Sequence, residues 1–201
     1  MKTDVITRLA SGCGCAPDRP ADESRRRMFR VMAGFAAGIG GLHGANAAEV
    51  QIRPGDRLAK ATTEGDPVAL RAEDVLPRKP LLAYPFDPES RKIRSESRLN
   101  KLVLLRLDNA ELDAQTKSRA AGGVLAFSSL CTHAGCDVNA WMAKTGRLLC
   151  YCHSSQFDPL DFGKVTDGPA PRSLPWLPLA LAGDELMVAG AFSATPGAAT
   201  T

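Results

Sequence analysis

This sequence predicts a mostly β fold of short antiparallel strands and turns around one core, and three observations carry the expectation. Its 201 residues include 14 prolines and 18 glycines, a density of turn formers that leaves little unbroken chain for helices. Its apolar runs, such as Leu102 to Leu107 and Val124 to Phe127, are short and rich in strand formers. Only one stretch has the composition of a helix.

Composition sets further bounds. Hydrophobic residues are 44% of the chain and charged residues 23%, which is a globular balance and excludes a disordered one. No run of about eighteen apolar residues is free of charge, so a multi-span membrane protein is excluded. The formal charge is +3, but residues 1–47 hold seven Lys/Arg against four Asp/Glu, which leaves eighteen of each in the remainder. The basic excess is an N-terminal feature, and no nucleic-acid-binding face is implied.

In chain order, residues 1–47 read as an export signal. Arg25-Arg26-Arg27-Met28-Phe29-Arg30 precedes a weakly apolar stretch from Val31 to Leu42, and Gly44-Ala45-Asn46-Ala47-Ala48 offers small-residue cleavage after Ala47. Paired arginines followed by Phe resemble the twin-arginine signal, a route for proteins folded around a cofactor before export. Retention as an anchor is the alternative, although Arg30, His43 and Asn46 make a poor span. Cys13 and Cys15 lie inside this segment and receive no role.

Residues 48–98 read as a Pro-rich extended segment crossing the surface, with turns at Pro54-Gly55-Asp56 and Glu64-Gly65-Asp66-Pro67 and prolines at 77, 80, 85 and 88. Leu102 to Leu107 is a strand. Asn109 to Ala121 is the helix candidate, with Asn109 as cap and Gly122-Gly123 as stop. Val124 to Phe127 is a strand leading into Cys131, and Leu148-Leu149 leads likewise into Cys150. Leu177 to Val188 is a hairpin folded at Gly183-Asp184. The tail over 193–201 is small and polar and reads as disordered.

The chemistry-bearing pattern is Cys131-Thr132-His133-Ala134-Gly135-Cys136 followed by Cys150-Tyr151-Cys152-His153-Ser154-Ser155. Two of the chain's three histidines and four of its six cysteines fall within the 23 residues from Cys131 to His153. Each half delivers a thiolate and an imidazole from a tight loop. Zinc suits four such ligands but leaves Cys136 and Cys152 without a purpose. An iron–sulfur site with two Cys on one iron and two His on the other also accounts for the four.

Through Cys-Thr-His-x-Gly-Cys and Cys-x-Cys-His-x-Ser the sequence resembles the Rieske iron–sulfur family, whose centre has His in place of Cys on one iron. Gly168-Pro169-Ala170-Pro171-Arg172 is similar to the proline loop that covers the cluster in Rieske proteins of quinol-oxidising complexes, where stiff residues exclude water. The resemblance implies a Rieske-type antiparallel β-sandwich over 99–192, with a cluster-binding subdomain and one helical insertion. It implies one 2Fe–2S cluster, with Cys131 and Cys150 on one iron and His133 and His153 on the other. It also implies a disulfide between Cys136 and Cys152 and a hydroxyl donor at Ser155. Pro169 and Pro171 would lie over the cluster. Three positions depart from the family pattern: Tyr151 stands for Pro, Ser154 for Gly, and Phe157 for the Tyr of high-potential members.

Such an iron has no open position for substrate, so the implied chemistry is one-electron transfer with no catalytic residue. A Rieske oxygenase needs a further mononuclear iron on two His and a carboxylate, and only His43 remains within this sequence. Two settings follow from the resemblance. The proline loop points to a respiratory quinol–cytochrome c oxidoreductase, partnered by a membrane cytochrome b and a c-type cytochrome acceptor. The alternative is the small Rieske subunit of a periplasmic molybdenum oxidase of the arsenite-oxidase type, which Phe157 fits. Either way the expected location is the periplasm, soluble or held to the inner membrane.

Overall fold

The computed structural model describes residues 49–198. The expected export signal, Cys13, Cys15 and the last three residues lie outside the described residues. Among the described residues eleven strands form two antiparallel sheets. In chain order they are β1 (Arg57–Lys60), β2 (Leu81–Phe86), β3 (Leu102–Arg106), β4 (Val124–Ser128), β5 (Val138–Met142), β6 (Arg147–Cys150), β7 (Ser155–Asp158), β8 (Lys164–Asp167), β9 (Trp176–Leu177), β10 (Leu179–Ala182) and β11 (Glu185–Val188).

The larger sheet has the order β10-β11-β1-β2-β3-β4-β9. Its two edge strands, β9 and β10, are separated in the chain by Pro178 alone, so the sheet curls until its edges nearly meet. The smaller sheet is the meander β5-β6-β7-β8. Among the described residues no helix is long and apolar enough to cross a membrane.

Strands β3 and β4 explain why two runs are apolar throughout instead of alternating. Side chains alternate between faces along a strand. Leu102, Leu104, Val124 and Ala126 face a core inside the large sheet with Leu58, Leu177 and Leu186. Val103, Leu105, Leu125 and Phe127 face a second core against the small sheet, with Val138, Leu148 and Phe157. Both faces are buried, so both must be apolar. The strand and hairpin expectations at Leu102, Val124, Leu148 and Leu177–Val188 coincide with β3, β4, β6 and the β10–β11 hairpin.

Three segments differ from the sequence expectation. The helix over 109–121 is instead a 3-10 turn at Asn109–Glu111 and a single turn α1 (Ala114–Lys117). Asp113 interrupts it, since its carboxylate accepts the Thr116 amide at 2.6 Å and starts a fresh turn, and the first turn is capped by Asp108, not Asn109, through the Ala110 amide at 3.0 Å. Beyond α1 the chain turns inward to bury Arg119. Its guanidinium lies 4.6 Å from the Phe162 ring centre, between Phe127 and Trp176, and donates to the Pro159 carbonyl at 3.0 Å. Gly122-Gly123 does not stop the helix, which ends at Lys117, but forms the turn between Ala121 and Val124 that leads into β4. Gly123 has φ +80°, and a Cβ there would come 2.6 Å from the Leu107 carbonyl oxygen.

The Pro-rich segment is not a surface crossing only, since it supplies β1 and β2 in the middle of the large sheet. Pro85 fits inside β2 because the pairing with β3 covers only Leu81–Ala83, so its missing N–H breaks no bond on that side. The third difference is the tail. Ser193 exchanges hydrogen bonds with Trp176, and Pro196 and Gly197 are buried.

One buried ion pair ties the Pro-rich segment together. The Asp56 carboxylate, 3% exposed, accepts from Nε and Nη2 of Arg94, both at 2.8 Å, and from the Arg53 amide. Removing one partner strands the other charge, at a cost of about 3–5 kcal/mol. Asp56→Ala is therefore expected to lower the unfolding free energy by about 3 kcal/mol in urea titration, and a loss under about 1 kcal/mol would mean that water already screens the pair.

Candidate metal centre

The two Cys/His loops are turns that the small sheet imposes. The first, residues 129–137, joins β4 to β5 across the two sheets. It closes on itself through the Cys131 amide to the Cys136 carbonyl at 2.8 Å and the Gly135 amide to the Cys131 carbonyl at 2.9 Å. Its outer end is held by Lys101 Nζ on Asp137 at 2.7 Å and by Arg98 on the Gly135 carbonyl at 3.1 Å. The second loop, residues 151–154, joins β6 to β7, whose end residues Cys150 and Ser155 are paired. Ser154 closes that turn at φ +59°, a left-handed conformation costing about 1–2 kcal/mol for a residue with a Cβ. This accounts for the Gly that the family pattern has at this place.

The loops bring the expected residues to one place in two layers. Cys131 and Cys150 are free thiols, each 1% exposed, and sit in the second core beside Phe157 and Leu148. His153 is exposed and His133 half-buried, with their Nδ1 atoms 3.1 Å apart and their rings edge to face. Cys136 and Cys152 are joined as a disulfide between the two loops. The sulfurs of Cys136, Cys150 and Cys152 all lie within 4.8 Å of one another. Since two of these are bonded together, Cys150 is the one thiol that group offers a metal.

Burial pushes the Cys150 thiol above its ordinary value, and the neighbouring Cys131 thiol adds to the rise. The backbone amides of Cys152 and His153 act in the opposite sense. Two thiolates in an apolar core need a compensating cation, and ferric iron bound directly to sulfur supplies it. The donor set thus fits a cluster with sulfur ligation inside and imidazole ligation outside.

The proline loop, residues 168–175, joins β8 to β9 and lies over Ser155. Gly168 makes this possible: at φ +84° it carries no Cβ, and one would come 2.5 Å from Ser155 Cα. The Ala170 amide donates to Ser155 Oγ at 3.2 Å. Phe157 is wholly buried in the core with Cys131 and Cys150, while Pro169 and Pro171 are exposed. Tyr151, 74% exposed, points away from the core. Sequence reasoning gave no role to Thr132, which is fully buried and donates to the Arg172 carbonyl at 2.7 Å, fastening the first loop to the proline loop. Its only signal was its place between two ligand candidates.

A β domain that offers two buried thiols and a surface imidazole pair on disulfide-joined loops defines a class, the iron–sulfur electron carriers with mixed Cys and His ligation. Residues 90–178 match the family described as the Rieske 2Fe-2S domain, so this part of the chain is a Rieske domain. It is 39% identical over 95 residues to the cytochrome bc1 complex Rieske iron-sulfur subunit of Corynebacterium diphtheriae, a match covering 45% of this chain and 23% of that one. With the subunit of the same name from Mycobacterium bovis it is 32% identical over 151 residues, covering 66% of this chain and 35% of that one. The chain thus spans about a third or less of the length of these relatives. Among solved structures, a plasma-membrane Rieske protein of the cyanobacterium Synechocystis superposes with a TM-score of 0.38 at 26% identity, covering 56% of this chain and 87% of that one.

The disulfide has a calculable effect on stability. It closes a loop with a sequence separation of 16, for which the chain-entropy model gives about 3 kcal/mol. Replacing Cys136 and Cys152 together with Ala is expected to lower the unfolding free energy by about that amount, read from denaturant titration beside the unsubstituted protein.

Proposed function

We propose that the chain is a one-electron carrier, the iron–sulfur subunit of a respiratory quinol–cytochrome c oxidoreductase of the bc1 type. The observation that carries this reading is the layered donor set: thiols sealed in the core, imidazoles at the surface. The names of the curated relatives support the bc1 setting over the arsenite-oxidase alternative, which they do not favour. A membrane cytochrome b and a c-type cytochrome are the proposed partners, and quinol the proposed donor. The disulfide supports an oxidising compartment, and export by the twin-arginine route to the periplasmic face of the membrane completes the proposal.

A Rieske cluster bound between the loops supplies a one-electron couple at about −150 to +300 mV. In this assignment Cys131 and Cys150 hold one iron inside the core, where water does not compete. His133 and His153 would hold the other through Nδ1, leaving Nε2 of each ring as the atom that holds or releases a proton. The surface position of the two rings lets a donor come within hydrogen-bond reach of that nitrogen. Pro169 and Pro171 stiffen the cover, and the buried Ser155 supplies a hydroxyl to the site.

Two outcomes test the assignment. His133→Ala leaves an iron one ligand short, so the purified variant is expected to lack the cluster's visible absorption; retention of the full spectrum contradicts the ligand set. The second concerns potential. A hydroxyl aimed at cluster sulfur stabilises the more negative, reduced state. A hydrogen bond to a charged acceptor is worth about 1.5–3 kcal/mol, and a difference of about 1 kcal/mol between redox states corresponds to about 40 mV. Phe157→Tyr is expected to raise the midpoint by tens of millivolts and Ser155→Ala to lower it, measured by protein-film voltammetry at pH 7. An unchanged midpoint in Phe157→Tyr would mean that this side chain does not face the sulfurs.

A further inference from the structure

The segment Ser193–Gly197 is held more firmly than a polar chain end requires, and what holds it leads to the metal centre. Its start is fixed to β9 by two hydrogen bonds, Ser193 amide to Trp176 carbonyl at 2.9 Å and Trp176 amide to Ser193 Oγ at 3.0 Å. Further on, Nη2 of Arg172 donates to the carbonyls of Thr195 at 2.8 Å and Gly197 at 2.5 Å. These are charge-assisted bonds, roughly twice as strong as neutral ones. Gly197 is buried, and a Cβ added there would lie 3.6 Å from Leu99 and 3.7 Å from Leu130, the residue before Cys131.

Arg172 belongs to the proline loop, and its own carbonyl receives the Thr132 hydroxyl from the first cluster loop. Two residues earlier, the Ala170 amide donates to Ser155 Oγ. Prolines at 169 and 171 have no N–H, so Ala170 carries the only amide hydrogen of the three. By accepting that hydrogen, Ser155 Oγ has its own hydrogen free, and among the described residues no protein acceptor takes it. A hydroxyl fixed in this way is a directed donor.

We propose that Ser193–Gly197 is a strap that, through Arg172, holds the proline loop on Ser155 and so sets the direction of the hydroxyl donor at the redox centre. Arg172 is a positioning residue in this scheme, and the strap is a determinant of the midpoint potential. The inference rests on the assignment of a Rieske cluster beside Ser155.

The test compares the full chain with a chain ending at Phe192, each with Ser155 and with Ser155→Ala, by voltammetry and by hydrogen–deuterium exchange of the peptide containing Pro169-Ala170-Pro171. Truncation leaves the Arg172 charge in place, so a shift does not reflect its loss. The expected result is a lower midpoint in the truncated protein and no further shift when Ser155→Ala is already present. Exchange at Ala170 should be about tenfold faster, the fold-change equivalent to about 1.4 kcal/mol for one lost hydrogen bond. An unchanged midpoint with unchanged exchange overturns the strap, and so does an equal shift in the Ser155→Ala background. Should the shortened chain fail to fold, Arg172→Gln in the full chain is judged by exchange at Ala170 alone, where faster exchange supports the strap and unchanged exchange overturns it. A full chain without a cluster would overturn the Rieske assignment instead, and the exchange comparison would still judge the strap.

Discussion

Two cysteine thiols lie in the interior of a small β domain, and the rest of the architecture answers to that placement. A thiolate is the form that binds metal, and an apolar core is where a thiolate is least stable. Cys131 and Cys150 are both 1% exposed and adjacent, so the interior tolerates them as ligands only with cationic metal between them. The imidazoles are subject to the opposite demand. In the proposed role His133 and His153 exchange protons, which requires access to water, and they occupy the outer end of the same two loops.

A scaffold meets both demands by burying β3 and β4 on both faces. One face closes the large curled sheet, and the other forms the core that receives the thiols. The large sheet therefore anchors the first loop, while the meander of four strands carries the second. Each loop alone is short. Together they are joined by a covalent bond, by Thr132 on the Arg172 carbonyl, and by the Ala170 amide on Ser155. Rigidity at the centre comes from these cross-links between loops, because neither loop has a regular element of its own.

What the sequence made legible was local. The Cys/His motifs located the thiols and the imidazoles, and their resemblance to the Rieske family paired Cys136 with Cys152. Short apolar runs located β3, β4 and β6, and Gly183-Asp184 located the last hairpin. Illegible features depend on distant partners. Asp113 stops the helix because its carboxylate caps Thr116, and Arg119 is buried because three aromatic rings from other segments surround it. Prolines at 77, 80, 85 and 88 disguised β2, whose pairing avoids the one imino group that would break it. The ordered tail rests on an arginine bound to backbone carbonyls, an interaction that any sequence could supply and none announces.

The account turns on mixed ligation, sulfur within and nitrogen without. Electron–nuclear double resonance on the dithionite-reduced full chain, produced with nitrogen-15 histidine, measures that ligation directly. The account predicts two inequivalent histidine nitrogens coupled to the unpaired spin, in a protein carrying two irons and two acid-labile sulfides per chain. A colourless zinc protein, or an iron–sulfur signal with no histidine coupling, would contradict it.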